Sequence, residues 1–299
     1  MKLLWLAVSD MLCEPLHRGL TDLSEHDVCF HWYDRGYLPP DQGMLNAADT
    51  FKPDAIIYTS RHAGPTLAST STFLRLRKIA PTIHMLHDGS EALWKPLLHE
   101  YREKEVFTVT VNIDGNSDWE SGPNDITALT PIAPSFYANQ KPLLERPIKF
   151  GFAGGYSSPS RREIVEYLVE HAGLVIPPRN EKYGSYQAYA DFLCSCQIVL
   201  NVSYTGSDND TQVKGRVIET GLAGCVLLDN YLSKSWKWFS SDRDFMSYQN
   251  KDLVPAMIGY AKTPRAADRL ENLAANLQEQ VHNKHTPAVF WPRVLERIK

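Results

Sequence analysis

A chain of 299 residues, 43% hydrophobic and 22% charged, has the composition of a folded globular protein long enough for two ordinary domains. Its formal net charge of -4 argues against a general nucleic-acid coat or a polybasic membrane anchor, so nucleic acid is an unfavoured partner unless a local basic groove is hidden in the fold. The apolar run at residues 1–8 is too short to cross a bilayer, has no clear cleavage site, and is closed by Ser9 and Asp10, so no integral membrane segment or signal peptide is expected.

Residues 2–9 read as a first buried strand and 28–32 as a second, followed by a proline-bearing loop over 34–43. A third strand is expected at 55–58, after Pro53-Asp54. Over 72–80 the spacing predicts a helix with Phe73, Leu74, Leu76 and Ile79 inward, and Arg75, Arg77 and Lys78 on a solvated face. Pro81 restarts the chain into a strand at 82–86, which meets a helix through His87-Asp88-Gly89-Ser90-Glu91. Strands at 106–112 and 126–132 complete this half. The polar stretch 138–147, bounded by Pro142 and Pro147, reads as the domain boundary.

The second half opens with a strand at 148–155 that ends in glycines, then a helix over 162–171 and a short strand at 174–176. A helix at 183–196 turns Tyr186, Tyr189, Phe192 and Leu193 toward a core. An apolar strand at 197–202, a polar loop at 204–211, a helix carrying Val213, Val217, Ile218 and Leu222, and a strand at 225–228 after Gly224 follow in turn. Helices at 251–260 and 266–281 precede a final amphipathic helix with Phe290, Trp291, Val294, Leu295 and Ile298. Strands alternating with helices give an α/β protein with two doubly wound parallel sheets. The domains are expected at 1–141 and 142–284, with 285–299 as a terminal helix. The five cysteines are odd in number and lack zinc-type spacing, which favours a reducing cytoplasm.

Three groups of residues carry chemistry. His87 and Asp88 stand at a strand end, where they could serve as a base toward a hydroxyl. Asp88 with Glu91 also fits a helix capping box, and both readings stand. Gly154-Gly155, with Tyr156 and Arg161 close behind, forms a glycine turn feeding a helix start, a place where backbone amides can approach an anion. Ser160 with Glu163 reads equally as a cap of that helix. Lys214, Arg216 and Glu219 lie at the start of a helix beyond the C-terminal end of a strand. Two cations with a carboxylate one turn on suit a ligand bearing phosphates and hydroxyls, and a solvated helix start is the plain alternative. The Asp208-Asn209-Asp210 loop lacks the rest of a calcium-binding pattern.

The stretch from Leu200-Asn201 through Arg216 and Glu219 to Gly224 and Val226-Leu227-Leu228 resembles the donor-side segment of GT-B glycosyltransferases. It is most similar to the CgeB-like (spore-maturation type) group, within the group 1-like families. Pro53-Asp54, Pro81 to Asp88, Val109 to Asp114 and the Pro131–Pro134 segment follow that group's order, as does His285-Thr286 before the last helix. The resemblance implies two Rossmann-like domains facing a central cleft, the last helix crossing back to the first domain. It implies transfer of a hexose or pentose from a nucleotide-diphospho-sugar, UDP- or GDP-linked, with no cofactor and no metal. Lys214, Arg216, Asn201, Arg161, Tyr156 and the Gly154-Gly155 turn would line the donor site, with Glu219 on the ribose hydroxyls. His87 and Asp88 would act on the acceptor: as base if the enzyme inverts, as positioning groups if it retains. The acceptor is open, with a surface polysaccharide as the default and protein, a small molecule or a modified nucleic-acid base as alternatives. One departure stands out. Many retaining members carry a sugar-facing Glu eight positions before the ribose Glu; here that position is Thr211, which leaves Asp208 or Asp210 as the candidates to substitute for it. A nucleotide-sugar epimerase or hydrolase, and a catalytically silent donor-binding scaffold, are the competing readings.

Overall fold

The computed structural model describes residues 1–8, 13–33, 40–59, 68–87, 89, 94–116, 122–156, 158–177, 185–205, 208 and 210–299. The chain divides into two compact units. Unit 1 comprises Met1–Ala133 with Pro287–Lys299, and unit 2 is Pro134–Thr286.

Unit 1 is built on six parallel strands: β1 (Lys2–Ala7), β2 (Asp27–Trp32), β3 (Ala55–Thr59), β4 (Thr82–Leu86), β5 (Val109–Asn112) and β6 (Asp125–Thr127), in the order β2-β1-β3-β4-β5-β6. β1, β3, β4 and β5 are buried nearly throughout because helices cover both their faces, and β1 and β3 are correspondingly apolar. On one face, α1 (Glu14–Thr21) and α10 (Pro287–Glu296) bring Leu16, Leu20, Phe290, Trp291, Val294 and Leu295 against Leu3, Trp5, Ile57, Ile83 and Val111. On the other, α2 (Pro40–Phe51) and α3 (Thr70–Ile79) pack Met44, Ala48, Phe73 and Leu76 against Leu4, Leu6, Ile56 and Tyr58. Tyr101 of α4 (Trp94–Glu103) joins that second layer.

Several details depart from the sequence reading: Ile79, expected to face inward, is exposed, and the strand expected at 174–176 is reduced to a single bridge at Val175. Pro40 opens α2 rather than continuing a loop, a position where its fixed φ and missing N–H cost nothing. The last strand of unit 1 stops at Thr127, beyond which Leu129 makes only an isolated antiparallel bridge to Asp114 and Pro131 has no N–H to continue a ladder.

Unit 2 holds four parallel strands: β7 (Ile148–Gly151), β8 (Cys196–Asn201), β9 (Val226–Asn230) and β10 (Met246–Tyr248), in the order β10-β9-β8-β7. The chain leaves β7 through α5 (Pro159–Ala172), touches the outer side of β7 by a parallel bridge between Val175 and Gly151, and returns through α6 (Tyr186–Cys194) to β8 on the inner side. The direction of winding therefore reverses between β7 and β8. After β8 the chain runs through α7 (Gly215–Leu222) to β9, and after β10 through α8 (Val254–Ala261) and α9 (Ala267–Lys284). α5 packs with α8, and α7 with α9. The α7–α9 approach is close because Gly221 faces Val281. Phe136 and Tyr137 belong to unit 2, where Phe136 meets the Tyr186 ring edge-on at 4.8 Å. Among the described residues, no helix is long and apolar enough to cross a membrane.

Candidate active site

In an open parallel sheet the crevice for a ligand lies beyond the C-terminal ends of the strands, where the winding reverses. In unit 2 that point falls between the ends of β7 and β8, and the residues there form one connected set. Gly154, in the turn after β7, has φ +140, outside the range an L side chain adopts readily. Arg216 stands in the first turn of α7 with its guanidinium carbon 4.5 Å from the centre of the Phe152 ring, within the range of a cation–π contact. Its Nη1 donates to Asn201 Oδ1 at 3.3 Å, and its Nε is buried and meets no acceptor among the described residues.

Asn201, the last residue of β8, is fully buried and passes the constraint on. Its Nδ2 donates to Asp229 Oδ1 at 2.8 Å. The Asp229 carboxylate also accepts from the Asn230 amide at 2.8 Å and from Ser235 Oγ at 2.6 Å. Burial raises the Asp229 pKa, opposed by its donors Ser235, Ser233, Asn201 and the Asn230 amide. Arg216 is thus set by a fixed chain of groups at the ends of three strands, with few rotamers left open to it.

The loop after β8 folds back on this edge. Arg161 donates from Nε to the Tyr204 carbonyl at 2.9 Å, again from Nη2 to the same carbonyl, and from Nη1 to the Gly155 carbonyl at 3.4 Å. Arg161 therefore joins the loops after β7 and β8. Tyr156 packs edge-on to Phe152 at 6.1 Å. The N-cap position of α5 is Ser158 rather than Ser160, without a capping side-chain hydrogen bond, and the Ser160 amide donates to Asp208 Oδ2 at 2.9 Å. Glu163 pairs with Lys251. Thr211, the position where the resemblance expects a sugar-facing Glu, donates its hydroxyl to the Leu232 carbonyl at 2.9 Å, and Asp210 holds Lys234 at 3.3 Å. A cavity of about 240 Å³ opens beside this loop, lined by Ser160, Tyr204, Asn230, Tyr248, Asn250 and Lys251 among others. Lys214 is the half-buried N-cap residue of α7.

Glu219, one turn beyond Arg216, sits in surroundings the sequence did not foretell. Tyr186 and Tyr189 each donate a hydroxyl to it at 2.6 Å, one to each carboxylate oxygen, and Tyr137 bonds the Tyr186 hydroxyl at 2.8 Å. Burial raises the Glu219 pKa, while the two tyrosine hydroxyls and Arg216 act the other way. The i, i+3 spacing of Tyr186 and Tyr189 placed both rings inward, as expected for core aromatics. That their hydroxyls would meet one carboxylate had no signal in the periodicity.

In unit 1, His87 follows the end of β4 with its Nε2 buried. Asp88 and Glu91 lie outside the described residues, so their base and capping readings gain no geometry. Asn112 at the end of β5 faces Gly89, where an added Cβ would stand 2.7 Å from Asn112 Oδ1. Among the described residues, no group of three or more His, Cys, Asp or Glu side chains is placed to hold a metal ion.

Residues 158–296 match a family model described as glycosyl transferase-like. Anabaena HepE, solved in complex with UDP and glucose, superposes with a TM-score of 0.65 at 12% identity, covering 99% of this chain and 98% of that one. An α-glucosyltransferase in complex with UDP-glucose and DNA containing an abasic site gives 0.69 at 10% identity, with 99% and 98% covered. A glycosyltransferase from Rickettsia africae ESF-5 gives 0.62 at 9%, with 99% and 97% covered. The chain has the GT-B glycosyltransferase fold. At these identities the neighbours establish the GT-B architecture and no more. No curated protein matches the chain significantly in sequence. Within this GT-B chain, the glycine turn, Asn201 and Arg216 are brought together, and Glu219 stands behind them in a tyrosine-lined setting.

Proposed function

We propose that this chain transfers a sugar from a nucleotide-diphospho-sugar to an acceptor hydroxyl. The observation that carries the reading is the Arg216 guanidinium, held at the winding reversal of unit 2 by Phe152 and Asn201, with a buried Nε lacking an acceptor among the described residues. A guanidinium set against a glycine turn at strand ends is suited to a diphosphate. The glycosyl transferase-like match over 158–296 supports the same chemistry. Neighbours solved with UDP or UDP-glucose favour a uridine donor over a guanosine one.

In this reading unit 2 is the donor side. Arg216, Lys214 and the Gly154-Gly155 turn neutralise the leaving diphosphate, so that no metal or cofactor is required. Tyr156, Arg161 and Asn201 shape the loops around it, and Glu219 takes the ribose hydroxyls. Unit 1 is the acceptor side. There His87, with Asp88, removes the acceptor proton as the bond from the sugar to the diphosphate breaks, if the anomeric configuration inverts. The residues Leu200-Asn201, Arg216, Glu219 and Gly224 support a place in the CgeB-like branch. A surface polysaccharide is the default acceptor class in this reading, and the odd number and non-zinc spacing of the cysteines favour work in a reducing cytoplasm.

The test is a thermal-shift screen against UDP-, GDP-, dTDP-, ADP- and CMP-sugars, with Arg216→Ala beside the native chain. Stabilisation by one nucleotide family, lost in the variant, is the expected result. No shift with any nucleotide sugar from a folded sample would overturn the reading. Thr211, tied to Leu232 where a sugar-facing Glu is expected, specifically favours the silent donor-binding alternative. Donor that is bound and left intact with every acceptor class, carbohydrate, protein and DNA alike, would select it. Consumption of donor without acceptor would select an epimerase or hydrolase.

A further inference from the structure

Glu219 is a carboxylate inside a protein core. Its side chain is 7% exposed, and the groups that meet it are Tyr186, fully buried, and Tyr189, 5% exposed. A buried carboxylate is a poor way to gain stability, since an apolar side chain of similar shape in the same place is as good or better. Two phenols aimed at it make the burial tolerable. They also fix its orientation to a degree that a core filler does not need. Tyr186 spends its only proton on Glu219 Oε1, so the 2.8 Å contact between its oxygen and the Tyr137 hydroxyl has Tyr137 as donor. The order Tyr137 to Tyr186 to Glu219 is thereby set, with Tyr189 closing the other oxygen. The rings have little freedom. Phe136 packs edge-on to Tyr186, the Phe136 carbonyl accepts from Gln187 Nε2 at 3.0 Å, and Ser185 caps α6 by accepting from the Ala188 amide at 3.2 Å.

An ionised carboxylate has about four acceptor sites, two on each oxygen. The tyrosines occupy one on each, and one on each remains. Two parallel acceptors match the two donors of a vicinal diol. We propose that Tyr186 and Tyr189 are positioning residues that hold the Glu219 carboxylate in register for the ribose diol of the donor, with Tyr137 supporting Tyr186. This rests on the donor-site reading above and adds to it residues that act on the nucleotide only through Glu219.

Tyr186→Phe and Tyr189→Phe keep the rings and remove the hydroxyls, so packing is preserved. The experiment measures calorimetric Kd values for UDP and GDP and for their 2′-deoxy counterparts, on the native chain, both single variants and the double variant. The native chain is expected to prefer the ribonucleotide of one base over its 2′-deoxy form by about tenfold or more. Each single variant should weaken the ribonucleotide by about five- to tenfold and leave the 2′-deoxy form within about twofold, so the discrimination collapses. A merely structural role would weaken both nucleotides together, or neither. Either of those results in folded variants, with the native chain still binding and discriminating, would overturn the positioning role and leave the donor reading intact. A native chain that binds none of the four nucleotides would overturn both.

Discussion

Gly154 and Arg216 compete for the same few ångströms: a Cβ built on Gly154 would stand 1.9 Å from Arg216 Nη2. The glycine also adopts φ +140, so Gly154→Ala meets both a clash and backbone strain. The guanidinium must leave the Phe152 ring to make room. We expect Gly154→Ala to lose about 1–3 kcal/mol of stability and about tenfold in donor affinity. Arg216→Ala should lose the affinity with a smaller change in stability. Urea denaturation alongside a nucleotide titration separates the two effects.

Asn201 links Arg216 to Asp229, and its removal should be felt at both. Asn201→Ala takes a charge-assisted donor from a fully buried carboxylate, which costs about 2–3 kcal/mol. The deficit should depend on pH. The folded Asp229 pKa is raised above its ordinary 3.8, so the folded state binds the proton more tightly than the unfolded state does. Stability from this group therefore falls as pH rises from 3.8 through the raised value. Losing Asn201 raises that value further and enlarges the fall. Denaturation of both chains from pH 4 to pH 8 should show a deficit that grows with pH, and a deficit constant over that whole range would contradict the assignment.

His84 should make the protein acid-sensitive. Both its ring nitrogens are buried without a hydrogen-bond partner among the described residues, and the ring stacks on Phe107 at 4.6 Å. Burial, with a smaller contribution from His87, lowers its pKa from 6.5 to about 3. Between those values the unfolded chain takes up a proton that the folded chain refuses, so stability falls as pH drops, by up to about 1.4 kcal/mol per unit. His17 and His285, each lowered to about 4 mainly by burial, act in the same direction. His84→Leu removes one such site and its unsatisfied nitrogens at little change in volume. It should raise Tm and flatten the slope between pH 6.5 and pH 4, as read by thermal denaturation across that range.

Gly221 tests the seating of α7. Alanine there would gain up to about 1 kcal/mol of helix propensity. Its Cβ would also stand 2.6 Å from Val281 Cγ2, a branched side chain that is fully buried and stiff at χ1. Overpacking of this kind costs about 1–3 kcal/mol, so the net change should be destabilising. Because α7 carries both Arg216 and Glu219, nucleotide affinity should fall with stability in Gly221→Ala. Retained affinity in a destabilised variant would show that α7 keeps its seat.

The central strands were legible because helices cover both faces of each sheet, leaving apolar runs such as Ile56-Ile57 and Ile198-Val199-Leu200. α2 was hidden by Pro40 at its first position, since a proline opens a helix or extends a loop equally well. β10 spans Met246–Tyr248 and is too short to carry a period. The candidate residues around Arg216 and Glu219 were singled out by their spacing. Spacing gave no account of how they are held. The bond from Tyr189 to Glu219 joins positions 30 apart, and that from Asn201 to Asp229 positions 28 apart. Such pairs are made by the sheet order, and local periodicity is blind to them.

The return of α10 to unit 1 has a consequence for biosynthesis. Unit 2 is one uninterrupted stretch inserted between two segments of unit 1. On a ribosome, unit 2 has all its residues in hand before the polypeptide reaches Pro287, and it is the first of the two that can close. Unit 1 begins first and finishes second. Until Phe290, Trp291, Val294 and Leu295 emerge, the part of this sheet face that α10 covers, Trp5 included, lacks its partner even though α1 is already made. For that interval the nascent protein displays a greasy surface to the cell, and a chaperone that holds unfinished α/β sheets would find its substrate there.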